Sequence, residues 1–214
     1  MLFNIYINSL IGALRCSDFG CHLGDEYIGC IVYADDIILL SASLVKLQNM
    51  LDICCIQGAS LDIQFNADKS YLFVVGESYG EVLPALRING APIVWANSLR
   101  YLNVKFVSDK RLNIDISQVM RKFYAAANAI FSHCKYASEF TKLLLLESFT
   151  LPMLTYGLNA IFLSRTQMLK LNSCWNNIYR KIFGHFKWES VKEIQLFCQR
   201  LDFIRVVDKC KFSF

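Results

Sequence analysis

The chain has 214 residues, 55% of them apolar and 19% charged, enough for one sizeable core or two small domains, which excludes a disordered protein. No run of 18 or more apolar residues lacks a charge or a proline, and the closest, residues 143–163, contains Glu147 and Pro152, so no transmembrane span is expected. The net charge of +4 is unevenly placed: residues 1–99 hold four Lys+Arg against ten Asp+Glu, and residues 100–214 hold eighteen against eight.

The first residues form a helical pattern, with Phe3, Tyr6, Ile7, Leu10 and Leu14 opposite Asn4, Asn8, Gly12 and Arg15. They lack the basic lead-in and small-residue cleavage pattern of a secretory signal, so an intracellular protein is expected. Residues 27–34 and 37–42 are rich in β-branched and large apolar side chains and predict two strands, with Asp35 and Asp36 in the connection. Two aspartates at the tip of an apolar hairpin suit a hard divalent cation such as Mg2+. The same pair is also the composition of a solvated turn.

Ser41 or Ser43 can cap a helix running through Leu44, Leu47 and Leu51 to Gly58. Leu61, Ile63 and Phe65 alternate as a strand, residues 71–75 form another, and Asn89-Gly90 marks a hairpin turn before a strand over residues 99–107. From Ile114 the pattern turns helical. Val119, Phe123 and Ile130 mark a long helix, a second runs from about Ser138 toward Pro152, a third over residues 166–183 stops at Gly184, and a fourth covers residues 190–207. The fold class is therefore α+β, with a mixed layer over residues 1–108 and a basic, all-helical module over residues 109–214.

The nine cysteines, at positions 16, 21, 30, 54, 55, 134, 174, 198 and 210, show no paired CxxC spacing. They are expected as free thiols in a reducing compartment, with no disulfide partner. Cys16, Cys21 and His22 lack a second pair that would complete a metal site. An acidic half with paired aspartates and a basic half rich in aromatics suggest a metal centre beside a phosphate-binding surface; the alternative for the basic residues is a set of solvated helix faces.

The order of motifs resembles the later part of a reverse transcriptase of the non-LTR (LINE-like) retrotransposon type, over nearly the whole chain. Phe3-Asn4-Ile5-Tyr6-Ile7-Asn8 is similar to the end of the helix that follows that family's Gln-Gly segment, and Tyr33-Ala34-Asp35-Asp36 to its YxDD catalytic hairpin. Residues 58–76, with Lys69, resemble the segment after the hairpin. Ile88-Asn89-Gly90 through Tyr101-Leu102-Asn103-Val104 resembles the primer-grip region, and Leu151-Pro152-Met153-Leu154-Thr155-Tyr156-Gly157 a thumb-associated segment.

The resemblance implies a partial polymerase palm, an antiparallel sheet with packed helices, followed by a helical thumb. It implies an RNA template, a DNA primer, deoxynucleotide substrates and two Mg2+ ions. Asp35 would be the metal ligand with Asp36 its helper, and Lys69 would protonate the leaving pyrophosphate, its alternative being a loop lysine in solvent. Tyr33, Ala34 and Asn103 would lie along the primer and nucleotide; Asn103 stands where the family has glycine and tolerates the same left-handed backbone.

Arg121, Lys122, Arg180, Lys181 and Lys187, with Trp175, Tyr179 and Trp188 among them, are candidates for nucleic-acid contacts, the alternative for the aromatics being core. The family carries a further catalytic aspartate on an earlier strand. Upstream of the hairpin this chain has Asp18, Asp25 and Glu26, none within such a strand. The expectation is an incomplete two-metal site and little or no independent polymerase activity, or, alternatively, a degenerate retroelement remnant that at most binds nucleic acid.

Overall fold

Apolar residues at helical spacing produce α1 (Asn8–Cys16), which buries Leu10 and Leu14 completely. Each such side chain contributes about 1.5–3 kcal/mol relative to an exposed one. The structure, a computed structural model, describes residues 5–212, so Phe3 and Asn4 of the expected helix lie outside the described residues. The fold is mixed α+β. The chain divides into two compact units, Met1–Leu99 with Val107–Leu112, and Arg100–Phe106 with Asn113–Phe214. The expected boundary near Asp109 therefore falls inside a short stretch that stays with the first unit, and the hairpin residues just before it belong to the second.

In the first unit, β1 (His22–Leu23) and β2 (Glu26–Tyr27) pair antiparallel, and β3 (Cys30–Tyr33) pairs antiparallel with β4 (Asp36–Leu39). Ser43 caps α2 (Leu44–Ser60), its hydroxyl accepting the Lys46 N–H. Helix α2 serves two clusters. Met50 and Cys54 pack with Leu10 and Leu14, while Leu51 packs with Leu72, Leu86, Ile88 and Ile93.

Gly58 does not end α2 as expected. It lies buried within the helix, where a Cβ would come 2.8 Å from the Phe65 ring and 2.9 Å from the Ile63 carbonyl oxygen. The chain returns across the helix at that point, so glycine is required for close approach and not as a stop. The expected strand through Leu61, Ile63 and Phe65 is absent for the same reason: Asp62 is left-handed (φ 53°) and the Ile63 N–H returns to the Gly58 carbonyl at 2.8 Å.

A 3₁₀ turn, Ala67–Lys69, is capped by the Asn66 side chain, which accepts the Asp68 N–H at 2.8 Å. Strand β5 (Tyr71–Leu72) is shorter than expected and pairs parallel with β8 (Val94–Trp95). Between them, β6 (Arg87–Ile88) and β7 (Ala91–Pro92) form the expected hairpin, with Asn89 and Gly90 both at positive φ.

The single strand expected over residues 99–107 is instead two, β9 (Ser98–Tyr101) and β10 (Val104–Val107), joined by Leu102 (φ 45°) and Asn103 (φ 65°). Two consecutive left-handed residues make the turn whose twist matches a hairpin. Strand β11 (Asn113–Ile114) completes the order β11-β10-β9.

The second unit is helical beyond this hairpin: α3 (Ser117–His133), α4 (Glu139–Phe149), α5 (Leu151–Thr155), α6 (Arg165–Phe183), α7 (Lys192–Phe197) and α8 (Phe203–Phe212). Ser138 caps α4, and Ser164 with Gln167 forms a reciprocal capping box on α6. The helix expected from about Ser138 toward Pro152 is α4, and Pro152 sits in the first turn of α5, where a proline has no helical N–H to lose. Gly184, left-handed at φ 69°, ends α6 as expected.

The fourth expected helix is two. Gln199 turns left-handed (φ 54°) and Arg200 Nε donates to both Glu147 oxygens, at 2.8 and 2.9 Å, which breaks the run between α7 and α8. The core of this unit gathers Phe123, Leu143, Leu146, Trp175, Tyr179 and Phe203, with Trp175 and Tyr179 in an edge contact at 5.7 Å. No described helix is long and apolar enough to cross a membrane.

Candidate functional site

The Tyr33-Ala34-Asp35-Asp36 motif folds as the tip of the β3–β4 hairpin. The register pairs Cys30 with Leu39, Val32 with Ile37, Ile31 with Ile38 and Tyr33 with Asp36. Directly opposed residues share a face. Cys30 and Leu39 thus turn to the cluster of Leu10, Leu14, Met50 and Cys54, while Ile31, Tyr33 and Asp36 share the opposite face, where Tyr33 is 59% exposed. The base of the hairpin is fixed by Leu40 N–H to the Gly29 carbonyl (2.8 Å) and Cys21 N–H to the Leu40 carbonyl (3.0 Å).

Both aspartates were expected in the connection, but Asp36 is the first residue of β4 and only Ala34 and Asp35 form the turn. Ala34 makes this possible by adopting a left-handed backbone at φ 51°. The two carboxylates consequently leave the hairpin from different settings, one in the turn and one on the Tyr33 face. Both are exposed, and among the described residues no side-chain hydrogen bond or ion pair holds either.

Adjacent carboxylates are the hard oxygen donors that Mg2+ takes. They are two donors only, however, and among the described residues no group of three or more His, Cys, Asp or Glu side chains gathers to hold a metal. Lys69 ends the 3₁₀ turn, is exposed, and forms no ion pair with either aspartate. The acids upstream, Asp18, Asp25 and Glu26, are exposed, and Asp18 lies 3.7 Å from His22.

In the second unit, Asn103 lines a cavity of about 340 Å³ with Val104 and Lys105, together with Pro152, Met153, Leu154 and Tyr156. Two segments singled out in the sequence, Tyr101-Leu102-Asn103-Val104 and Leu151–Gly157, so meet around one space, and Lys122 joins them. Its walls are mainly apolar. Lys105 Nζ lies 2.9 Å from Asp115 Oδ2, and Asp115 is held well below the ordinary carboxylate range by hydrogen bonds, first from the Ser117 hydroxyl, then from Lys105 and the Ser117 N–H.

The chain matches no protein-family model, no curated protein and no solved structure.

The candidate basic residues separate into engaged and unengaged sets. Arg121, Lys122 and Lys187 are exposed. Arg180 is half-buried and committed to the fold, its Nε donating to the Glu189 carbonyl and its Nη1 to Asn177 Oδ1, both at 3.0 Å. Lys181 donates to Asn128 Oδ1 at 2.8 Å and lies 4.4 Å from the Phe131 ring centroid. Trp175 and Tyr179 are core residues, 1% and 0% exposed, and so are removed from the nucleic-acid candidates.

Trp188 is the opposite case, 81% exposed. Phe186, which the sequence reading passed over, stacks on it with centroids 4.9 Å apart and planes within 1°. The available signal was the aromatic-basic-aromatic order Phe186-Lys187-Trp188 just after a helix-ending glycine.

Proposed function

We propose that the chain is the catalytic-hairpin and thumb portion of an RNA-directed DNA polymerase of the non-LTR retrotransposon type. The observation that carries the reading is the placement of Tyr33-Ala34-Asp35-Asp36 at a hairpin tip, with both carboxylates exposed and, among the described residues, unpaired. In this reading Asp35 is a ligand to catalytic Mg2+ and Asp36 assists it. When bound, two such ions activate a primer 3′-oxygen and neutralise the leaving pyrophosphate.

The residues of this chain hold part of that centre. Nucleotidyl transfer needs ligands beyond these two carboxylates. Lys69 supplies a mobile cation for the pyrophosphate, and the hairpin tip at Asn103 supports the primer. Arg121 and Lys122 contact the phosphate backbone of template and primer.

Primer extension on an RNA template, with a DNA primer, four deoxynucleotides and Mg2+, tests the reading alongside an Asp35→Ala variant. The expected result is no extension by either protein and salt-sensitive binding of the primer–template by both. Extension that Asp35→Ala abolishes would show that these residues complete the metal centre by themselves. Absence of primer–template binding at low salt would overturn the polymerase reading.

A further inference from the structure

The loop after α6 displays two large aromatic rings to solvent, stacked on each other. Phe186 is 62% and Trp188 81% exposed although each covers one face of the other. Leaving such rings wet forgoes burial energy that the adjacent core supplies to Trp175 and Tyr179.

The loop is fixed by contacts that do not involve the ring faces. Gly184 turns left-handed, and the His185 N–H returns to the Arg180 carbonyl at 2.9 Å. The Glu189 carboxylate accepts the Phe186 N–H at 2.6 Å and lies 3.1 Å from His185 Nδ1. The Glu189 N–H closes on the Phe186 carbonyl at 3.1 Å, and Arg180 Nε holds the Glu189 carbonyl from the helix side. The loop is thus hydrogen-bonded in the geometry that stacks the rings, an arrangement that lowers the entropic cost of engaging a ligand.

We propose that the Phe186–Trp188 stack is a platform for an unpaired base of single-stranded nucleic acid, with Lys187 engaging the adjoining phosphate. Three observations favour this partner. Parallel rings offer a flat outer face that a base extends, whereas a cage for a methylated ammonium needs rings set at angles. Lys187, exposed and one residue from either ring, supplies a cation where a base-stacking site needs one. The residues from 100 onward carry eighteen Lys+Arg against eight Asp+Glu, a balance that attracts a polyanion.

The proposal deepens the polymerase reading by naming the form of nucleic acid that this loop engages, and rests on it for the choice of nucleic acid over protein. Stacking requires an unpaired base, so the site discriminates single strands from duplex.

The test is fluorescence anisotropy of a labelled 12-nucleotide oligothymidine and of a labelled 12-base-pair duplex. The titrations use the full chain without nucleotides or Mg2+, in wild type, Trp188→Leu, Trp188→Phe and Lys187→Gln. Trp188→Leu weakens single-strand binding by about tenfold, Trp188→Phe largely restores it, and duplex binding is unchanged in both. Lys187→Gln lowers the slope of log affinity against log salt by about 0.7 for the single strand. Because both rings are exposed, these replacements leave the core untouched, and an unchanged far-ultraviolet circular dichroism spectrum verifies it.

Equal single-strand affinity in wild type and Trp188→Leu overturns the stacking platform while retained duplex binding leaves the polymerase reading standing. No binding of either nucleic acid overturns both.

Discussion

Tyr33 and Asp36 stand opposite each other as the last pair of the β3–β4 ladder, so the chain reverses through Ala34 and Asp35 alone. Ala34 sits at φ 51°, a conformation that costs a residue with a Cβ about 1–2 kcal/mol. Ala34→Gly relieves that strain but adds freedom to the unfolded chain, for a net stabilisation of about 0.5–1 kcal/mol. Ala34→Val, with a branched Cβ, destabilises by about 1–3 kcal/mol. Urea unfolding midpoints of the two variants decide the matter: identical midpoints would mean that the turn is not left-handed at this position.

Tyr27 lies in a slot between two glycines. A Cβ on Gly29 would approach the Gly20 Cα to 2.5 Å and the Tyr27 hydroxyl to 2.6 Å, and a Cβ on Gly20 would meet the Gly29 Cα at 2.6 Å. Because backbone as well as ring blocks the space, Gly29→Ala and Gly20→Ala each destabilise by about 1–3 kcal/mol, and trimming Tyr27 does not rescue them. Among the described residues the buried Tyr27 hydroxyl has no hydrogen-bond partner, and burial, more than the nearby thiols, raises its pKa. Tyr27→Phe is therefore neutral or stabilising, read as an unchanged or raised melting temperature. A clear loss on Tyr27→Phe would show that the hydroxyl is satisfied.

The Asp115 carboxyl makes stability depend on pH in a defined direction. Its folded pKa lies below the unfolded value because the Ser117 hydroxyl, Lys105 and the Ser117 N–H favour the ionised form. The stabilisation is complete above about pH 4 and is lost as pH falls toward and through the folded value. Asp115→Asn should flatten the fall in melting temperature between about pH 4 and 2 relative to wild type, with Ser117→Ala intermediate. Parallel curves for wild type and Asp115→Asn would exclude the effect.

The thiols should divide by burial. Burial, and then the nearness of Cys30 and Cys55, pushes the Cys54 pKa up to about 12, and Cys54 is 3% exposed. At pH 8 about one Cys54 in ten thousand is a thiolate, so it resists a disulfide reagent until the first unit unfolds. Cys16, which is exposed, reacts first. Mass mapping of the labelled sites against time checks the order, and labelling of Cys54 at the rate of Cys16 would contradict the packing of α2.

Local signals carried well where the deciding contacts lie within a few residues. Ser43 caps α2, Gly184 ends α6 and Asn89-Gly90 turns a hairpin, each through backbone geometry that the residue type itself permits. Elements decided by distant contacts were not legible. Gly58 looked like a helix stop but is a close approach for Phe65. Periodicity reads Leu102 and Asn103 as strand, since apolar neighbours continue on both sides, and only the glycine-like tolerance of Asn103 pointed to the left-handed backbone that it adopts. The break at Gln199 is secured by Arg200 on Glu147, fifty-three residues away.

The candidate site divides along the same line. By itself the sequence determined the α+β class, the hairpin that carries Asp35 and Asp36, the contrast in charge between the halves and the helical character after Ile114, because strand and helix periodicity and turn chemistry are short-range properties. Only the tertiary structure decided which aromatics are core and which are displayed, that Arg180 and Lys181 are occupied while Lys187 is open, and that Asp36 belongs to the strand. Those outcomes depend on which distant segments cover a side chain. Trp175 and Trp188 are the same residue type on neighbouring stretches of chain, and their 1% and 81% exposure follows from packing alone.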